Sequence, residues 1–384
     1  MRDGQILWEQ AAKIPENTYV EISKGREPVA GLILYTAVGS YGHAALVRKN
    51  CQFSFQRHIA YVLPNTESVS PEYLVTFLNS PQCRKYADQV ALGNAQKTIT
   101  LSALCGFPVL LSKYKEQQCI AEILDTVDDA IARTSSPIIK LKQTKAGLLQ
   151  DLLTRGLDDD GKLRNPQAHP EQFKDSPLGR IPREWKIYLL EECVRSDSQI
   201  TYGIVQAGPH VEGGIPYIRT GDMGDDQLSI EGLLRTSSNI VASYRRSEVR
   251  TGEIVCAIRA TVGKVLEVPV ELDGANLTQG TARIAPREDI NNHYLLWILR
   301  SISTKHQFDL VIKGTTFLEI TLENLRKIKV ALPSCREEQD KIAVILDTND
   351  TRIRTEQVYL NKLKLQKQGL MQDLLTGKVR VKNL

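Results

Sequence analysis

No apolar run in the 384 residues comes near the roughly 18 that a membrane-spanning helix needs. The opening Met1-Arg2-Asp3-Gly4-Gln5 has no apolar core of the signal-peptide kind, so export is not expected. Cysteine is sparse and unorganised. The seven (Cys51, Cys83, Cys105, Cys119, Cys193, Cys256, Cys335) form no Cys-x-x-Cys pair, and no His-x-His or His-Glu-x-x-His accompanies them. A disulfide framework and a zinc site both lack support, and free thiols in a reducing cytoplasm are the plain reading. Neither of the glycine-rich phosphate-binding signatures occurs, so nucleotide binding has no support. An adenine methyltransferase would carry an Asn/Asp-Pro-Pro-Phe/Tyr tetrapeptide, but Asn165-Pro166 is followed by Gln167 and reads as a turn. The six histidines (His43, His58, His169, His210, His293, His306) belong to no nucleophile motif. An excess of one charge is missing too. Forty-nine basic against 45 acidic residues give +4, so only clustering of the cations could point to a nucleic acid.

What the chain does have is an internal repeat. Glu116-Gln117, Ile120-Ala121 and Ile123-Leu124-Asp125-Thr126 return as Glu338-Gln339, Ile342-Ala343 and Ile345-Leu346-Asp347-Thr348, an offset of 222. The same offset carries Gly147-Leu148-Leu149-Gln150-Asp151-Leu152-Leu153-Thr154 onto Gly369-Leu370-Met371-Gln372-Asp373-Leu374-Leu375-Thr376, with no gap between. Upstream the match is fainter and the offset is near 221: Tyr73-Leu74 answers Tyr294-Leu295, Ile99-Thr100-Leu101 answers Ile320-Thr321-Leu322, and Gly31 and Gly42 answer Gly252 and Gly263. Each copy is thus a variable globular part followed by a nearly fixed helical part.

The helical parts have a period. Ile120, Leu124, Val127, Ile131, Thr134, Ile138, Leu141, Lys145, Leu148 and Leu152 follow at alternating steps of four and three. The second copy repeats them as Ile342, Leu346, Asn349, Ile353, Glu356, Leu360, Leu363, Lys367, Leu370 and Leu374. Such steps describe a coiled-coil seam. Pro137 lies inside the first copy, where an interior proline costs about 3 kcal/mol, so a bend or break is expected near Ser135-Ser136. The second copy has Tyr359 there and is expected to run on. Gly156 to Gly179, rich in turn formers, reads as a connector rather than an element. Strand-like runs such as Glu253 to Ile258 and Thr281 to Ala285, with the helix-like Tyr294 to Ile302, indicate an α+β globular part.

Polar and basic residues cluster in glycine-containing loops at matched places in the two copies. In the second copy they are Tyr217, Arg219, Thr220 and Asp222; Arg259, Thr261 and Lys264; and Lys313, Thr315 and Thr316. In the first they are Tyr41 and His43; Arg48 and Lys49; and Gln96, Lys97 and Thr98. Side chains of these kinds contact phosphates and base edges in a major groove, and taken singly each also fits a solvated loop.

Leu148-Leu149-Gln150-Asp151-Leu152-Leu153-Thr154-Arg155-Gly156, His169-Pro170-Glu171-Gln172-Phe173-Lys174-Asp175-Ser176-Pro177-Leu178-Gly179 with Ile181-Pro182 and Trp185, and Gln368-Gly369-Leu370-Met371-Gln372-Asp373-Leu374-Leu375-Thr376-Gly377 carry a resemblance. Through them the chain resembles the specificity (S) subunit of type I restriction–modification enzymes, the HsdS family. The resemblance covers nearly the whole chain and is closest in the helical and linker segments. It implies an α+β fold in which two globular target-recognition domains in pseudo-twofold repeat are separated by two long antiparallel coiled-coil helices. The domains would be residues 1–112, a first spacer helix region 113–155, a linker 156–180, a second recognition domain 181–334, and a second helix region with the tail 335–384.

What the resemblance implies for function is a non-catalytic, cytoplasmic subunit. Each recognition domain would bind one half of a split double-stranded DNA target, and the helices would set the spacer. Two DNA methyltransferase subunits would dock on the helices, and restriction–translocase subunits would join them. S-adenosylmethionine, ATP and Mg²⁺ would sit on those partners, with no cofactor, metal or membrane contact in this chain. The helix-pair seam would be Ile120, Leu124, Ile131, Leu141 and Leu152 against Ile342, Leu346, Ile353, Leu363 and Leu374. The sequence departs from the pattern in one respect. At an offset of 221 Met1 falls on Asp222, so the stretch from Ile181 to Gly221 has no partner in the first half. A misassigned start, a truncated gene and a smaller domain all fit that shortfall. Two other readings compete: an adaptor coiled coil without nucleic acid, opposed by the basic glycine loops, and a self-contained nuclease, opposed by the missing catalytic constellation.

Overall fold

The computed structural model describes residues 1, 4, 6–94, 96–314 and 318–381. The first half contains α1 (Glu16–Ser23), then β1 (Ile33–Thr36), β2 (Ala44–Leu46) and β3 (Ile59–Val62) in the order β2-β1-β3, all antiparallel. Three short helices follow, α2 (Pro71–Leu78), α3 (Pro81–Val90) and α4 (Leu101–Cys105), and then the 42-residue α5 (Tyr114–Arg155). The second half has β4 (Phe173–Ser176), β5 (Gly179–Pro182), β6 (Lys186–Leu189), β7 (Thr201–Tyr202), β8 (Ile215–Ile218) and β9 (Arg235–Thr236). After α6 (Ser238–Ser243) come β10 (Ile254–Ala257), β11 (Val265–Glu267), β12 (Asn276–Leu277) and β13 (Thr281–Ile284). Helices α7 (Asn292–Leu299), α8 (Ile302–Val311) and α9 (Leu322–Arg326) precede β14 (Lys329–Leu332) and the 40-residue α10 (Arg336–Leu375). Here the sheets are β11-β10-β13-β7, β12-β8-β9, β14-β6 and β4-β5.

The repeat is visible in the helix caps. Ser70 and Asn291 cap α2 and α7 by accepting from Tyr73 N and Tyr294 N. Ser80 and Ser301 do the same for α3 and α8, and Thr100 and Thr321 for α4 and α9. Gln117 and Gln339 are buried at matched places. Each side-chain oxygen accepts from the backbone of the α2 or α7 cap residue at 2.9 Å, and each amide donates to the carbonyl of Ser112 or Pro333. Gly42 and Gly263 both have positive φ, +85° and +82°, in the turns that follow β1 and β10. A Cβ at Gly263 would stand 2.9 Å from the Phe308 ring, so side chains there are excluded sterically as well as by backbone strain.

Contacts gather the chain into two compact units, Met1–Ile138 with Glu356–Leu384, and Ile139–Thr355. In the first unit the start of α5 lies against the end of α10. Ile120, Ala121 and Leu124 share a core with Met371, Leu374 and Leu375, and Lys367 Nζ meets Asp128 at 2.6 Å. The second unit shows the mirror arrangement, with the end of α5 against the start of α10. Leu152 and Leu153 share a core with Ile342, Ala343 and Leu346, and Lys145 pairs with Asp350. The helices are therefore antiparallel in both units, as the resemblance implied. None of the twenty seam residues is exposed. Lys145 and Lys367 do not break the seam, because each meets the repeat-equivalent aspartate of the other helix.

Two expectations change: of the bend or break expected near Ser135-Ser136 the break is absent, and the connector is not all loop. Helix α5 runs without a break through Pro137. The proline is exposed and leaves Arg133 C=O free to meet water, while Thr134 and Ile138 are held in the seam. Thr134 Oγ1 and Ser135 Oγ donate back to the carbonyls of Ala130 and Ile131, at 2.9 and 2.7 Å. One lost backbone bond at a wet surface does not outweigh the seam on either side. The connector, for its part, contains an element. Strands β4 and β5 form a hairpin across Pro177-Leu178, and Phe173, Ile181 and Leu157 are buried. Arg164 binds Glu338 at 2.5 Å, and Trp185 Nε1 donates to the same carboxylate at 3.3 Å. A buried acid with its own partners fixes the segment that composition alone marks as loop.

Where α7 packs on α10, His293 Nδ1 lies 2.8 Å from Asp347 and Nε2 3.4 Å from Glu267. The hydrogen bond to Asp347, then that to Glu267, raises the imidazole to about 10. A group with its pKa raised on folding stabilises fully below its unfolded value, near 6.5, and that contribution fades as pH rises toward 10. The melting temperature of the native chain should therefore fall, relative to that of His293→Gln, between about pH 6.5 and 10. A constant difference across that range would show that the carboxylates do not hold the proton.

Candidate nucleic-acid interface

In the second unit four loops converge beyond the ends of β8, β10 and β13. Strand β10 is buried on both faces and delivers the chain to Arg259, whose N–H and that of Ile258 both point to Gly280 O. Ala260 follows at φ +59°, the one non-glycine residue with positive φ among the described residues. Its N–H donates to Leu318 O at 2.9 Å. Left-handed backbone at a residue with a Cβ costs on the order of 1–2 kcal/mol and collects at functional loops. Arg259 bridges Glu319 through the backbone, and its Nε stands 3.4 Å from the Glu319 carboxylate. Glu319 also exchanges backbone hydrogen bonds with Lys313. A Cβ on Gly280 would lie 3.3 Å from Thr220 Cγ2 and 3.9 Å from Arg259 Cβ, so this glycine lets the two loops meet. Thr220, Arg259 and Lys313 are thereby brought together.

Arg219, at the end of β8, is held by Asp222. The aspartate accepts from the Arg219 backbone N–H at 2.9 Å, from Nε at 3.0 Å and from Nη2 at 2.8 Å. Asp222 is buried and Arg219 half-exposed, so the acid acts as a positioning group and leaves the outer edge of the guanidinium facing solvent. Tyr217 is buried among Ile204 and Val241 and presents little to a ligand. Thr261 is exposed. Lys264 turns away from the group to Asp225, 3.6 Å distant, and lines a separate cavity of about 350 Å³ with Lys145, Arg300 and Lys305. Thr315 and Thr316 lie outside the described residues.

The first unit is barer. Gly39 N donates to Lys97 O, and Thr98 bridges both Val38 and Leu92, so the loops carrying Tyr41–His43 and Gln96–Thr98 are neighbours. Tyr41 is buried; its hydroxyl donates to Asp88 at 2.7 Å, which raises its pKa, and Arg84 lies 5.4 Å over its ring. His43 is half-buried and exchanges hydrogen bonds with Thr36 through its backbone. Arg48 is turned to Asp125 at 3.0 Å, and Lys49, Gln96 and Lys97 are exposed. No counterpart of the β12-β8-β9 sheet stands in this unit among the described residues, so nothing answers Arg219 and Asp222.

Sequence reasoning passed over Thr278, Gln279 and Gly280, which line the same convergence. Thr278 Oγ1 donates to Ile218 O, tying this turn to the end of β8. The signal was a polar turn with glycine directly before a β-branched run, and only the strand after it was noticed. Arg84 was also missed, because a lone arginine on a helix carries no pattern.

The comparisons agree with this architecture. A family model described as the type I restriction modification DNA specificity domain matches residues 10–143 and again 182–365. The chain is 28% identical over 279 residues to the type I restriction enzyme MjaVIII specificity subunit of Methanocaldococcus jannaschii, covering 71% of this chain and 62% of that protein. It is 27% identical over 369 residues to the putative type I restriction enzyme MjaX specificity subunit of the same organism, covering 92% and 80%. The crystal structure of the type I restriction–modification S subunit from M. genitalium shares the fold, with a TM-score of 0.60 at 18% identity over 90% of this chain and 83% of that one.

Proposed function

Because the chain belongs to the type I restriction–modification DNA specificity family, we propose that it is the DNA-recognition subunit of such a complex, reading a bipartite duplex target. The observation that carries this reading is the double match of the family model, once on each repeat, joined to the arginine-bearing loops that converge beyond the strands of the second unit. Each globular part would bind one half of the target, and the helix pair would set the unread spacer. Methyltransferase and restriction–translocase subunits are the proposed partners. S-adenosylmethionine, ATP and Mg²⁺ would be bound by them, and adenine-N6 methylation and ATP-dependent cleavage would belong to the assembled complex.

Arg259 and Arg219 are the proposed reading groups of the second half-site. In the free chain each guanidinium faces a carboxylate, Glu319 and Asp222. Arg259 is held loosely and can exchange Glu319 for a phosphate or for guanine O6 and N7. Arg219 is gripped on Nε and Nη2, which leaves Nη1 to reach an acceptor. The test is binding of the assembled methyltransferase complex to duplexes in a salt titration, with methylome sequencing of cells carrying each variant. Arg259→Ala should cost about 1–3 kcal/mol and relax one base of one half-site if the contact is to guanine. A phosphate contact would instead weaken every sequence alike and flatten the log–log salt slope by about one. Equal loss of preference in both half-sites would overturn the reading of two independent recognition units.

A further inference from the structure

One residue of the convergence holds a conformation that glycine holds in the other copy. By the offset of 221, Ala260 answers Gly39, and their backbone surroundings match. Gly39 N donates to Lys97 O, and Ala260 N donates to the equivalent Leu318 O. Val38 bridges Thr98 as Arg259 bridges Glu319, and Leu92 bridges Thr98 as Lys313 bridges Glu319. Gly42 N closes the first turn on Thr36 O, and Gly263 N closes the second on Ala257 O. Both residues are left-handed, Gly39 at φ +74° and Ala260 at φ +59°. A Cβ on Gly39 would meet nothing nearer than Gln96 Nε2 at 3.9 Å, so steric room is not what sets the copies apart. The frame accepts glycine, and at this point the second copy differs by one methyl group.

That methyl does not serve the free chain. Ala260 is exposed, as are Arg259 before it and Thr261 after it, so the methyl packs into no core. A Cβ also strains left-handed backbone, which glycine adopts freely. The smaller unfolded-state entropy of alanine offsets only part of that strain, because alanine at positive φ is destabilising on balance. The methyl nevertheless stands on a fixed mount. The N–H groups of Arg259 and Ala260 are both taken, by Gly280 O at 3.3 Å and Leu318 O at 2.9 Å. Thr261 O accepts from Lys264 N at 3.1 Å. An alanine side chain has no rotamers to freeze, so contact with a ligand costs it no side-chain entropy. A strained, exposed and rigidly held methyl beside Arg259 is repaid only by something that covers it.

Resting on the recognition-subunit reading, we propose that Ala260 is a specificity-determining residue. Its methyl packs on the 5-methyl group of a thymine in the half-site bound by the second unit. The thymine methyl is the one methyl group among the base edges of the major groove, and alanine is among the side chains that meet it. A deoxyribose face would also cover the Ala260 methyl but would carry no sequence preference. The first copy, with hydrogen in place of the methyl at Gly39, makes no such contact at the matched position.

The test uses the assembled methyltransferase complex and the target that methylome sequencing of the wild-type complex defines. Duplexes in which deoxyuridine replaces each thymine in turn keep the base pairing and remove only the 5-methyl group. One replacement, in one half-site, should weaken binding of the wild-type complex about three- to tenfold. With Ala260→Gly the same replacement should change nothing, because the contact is already lost. The free Ala260→Gly chain should melt about 2 °C above the native chain as the left-handed strain is released. A melting temperature that does not rise would mean that the methyl serves the fold, and would overturn the proposal. So would a sequence-selective wild-type complex indifferent to every deoxyuridine, or a sensitivity that Ala260→Gly leaves intact. A wild-type complex that binds all duplexes alike would remove the recognition-subunit reading along with it.

Discussion

Replacing Leu124 and Leu346 together with aspartate is expected to leave the chain without a cooperative unfolding transition near that of the native protein. Both leucines are fully buried, one in the core of each unit, at positions related by the repeat. Each change removes a packed side chain, worth about 2–5 kcal/mol, and places a carboxylate where no cation waits, at a further cost of several kcal/mol. Domain stabilities are only about 5–15 kcal/mol, so neither unit has the reserve to absorb its share. Val344→Asp and Val358→Asp are the matched controls. They lie on α10, the helix of Leu346, but are 62% and 69% exposed, and each should shift stability by no more than about 0.5 kcal/mol. Thermal melts followed at 222 nm compare the variants, and methyltransferase assembly gives the functional readout. If the leucine double variant melted with the native chain, the seam would not be the core it is taken for.

The helical half of the fold was legible because its repeat is nearly exact and its period is long. Ten heptad-spaced positions in each copy predicted the seam, and all twenty are shielded in the structure. The function of Lys145 and Lys367 within that seam was not legible. Asp128 and Asp350 sit one step off the heptad pattern, and only the antiparallel register of the helices brings each aspartate to the lysine of the other copy. Pro137 was read through its average helix cost, which assumes that the helix has little else to hold it. The hairpin β4-β5 escaped notice because its residues are turn formers, and its order comes from burial of Phe173 and Ile181.

The candidate interface was legible at the level of loops and not of side chains. Arg219 and Asp222 were both singled out, but sequence could not say that one holds the other. Tyr217 and Tyr41 belong to polar, glycine-rich stretches and yet are buried, Tyr217 because β8 is covered on both faces at its end and Tyr41 where its hydroxyl bonds Asp88. Thr278–Gly280 joined the group only through pairing between strands distant in sequence. The stretch from Ile181 to Gly221, which the offset leaves without a partner, holds β6, β7 and β8, and among the described residues the first unit shows no counterpart of the β12-β8-β9 sheet.

The loops of the second unit also rest on a buried charge cluster, and breaking it should be the costliest single change in that sheet. Glu253 is 2% exposed and accepts from Arg283 Nε at 2.7 Å and Nη2 at 2.6 Å, from Arg195 Nη2 at 2.5 Å and from Arg250 N at 2.9 Å. Arg283 is buried within β13, the strand that begins directly after Thr278–Gly280. Glu253→Ala strands that guanidinium without a counter-charge, a loss of about 3–5 kcal/mol, whereas Glu253→Gln keeps one acceptor and should fall between the two. Removing both charges is a different matter, because a well-packed apolar pair of similar volume is often neutral or stabilising. Glu253→Leu with Arg283→Met should therefore recover most of what Glu253→Ala loses, and urea midpoints at constant m-value measure the difference. Methylome sequencing then separates stability from reading. Glu253→Ala should erode preference at the half-site read by the second unit while the other half-site keeps its sequence. A double variant as unstable as Glu253→Ala would mean that the acid supports the sheet through its bonds to Arg195 and Arg250 rather than by neutralising Arg283.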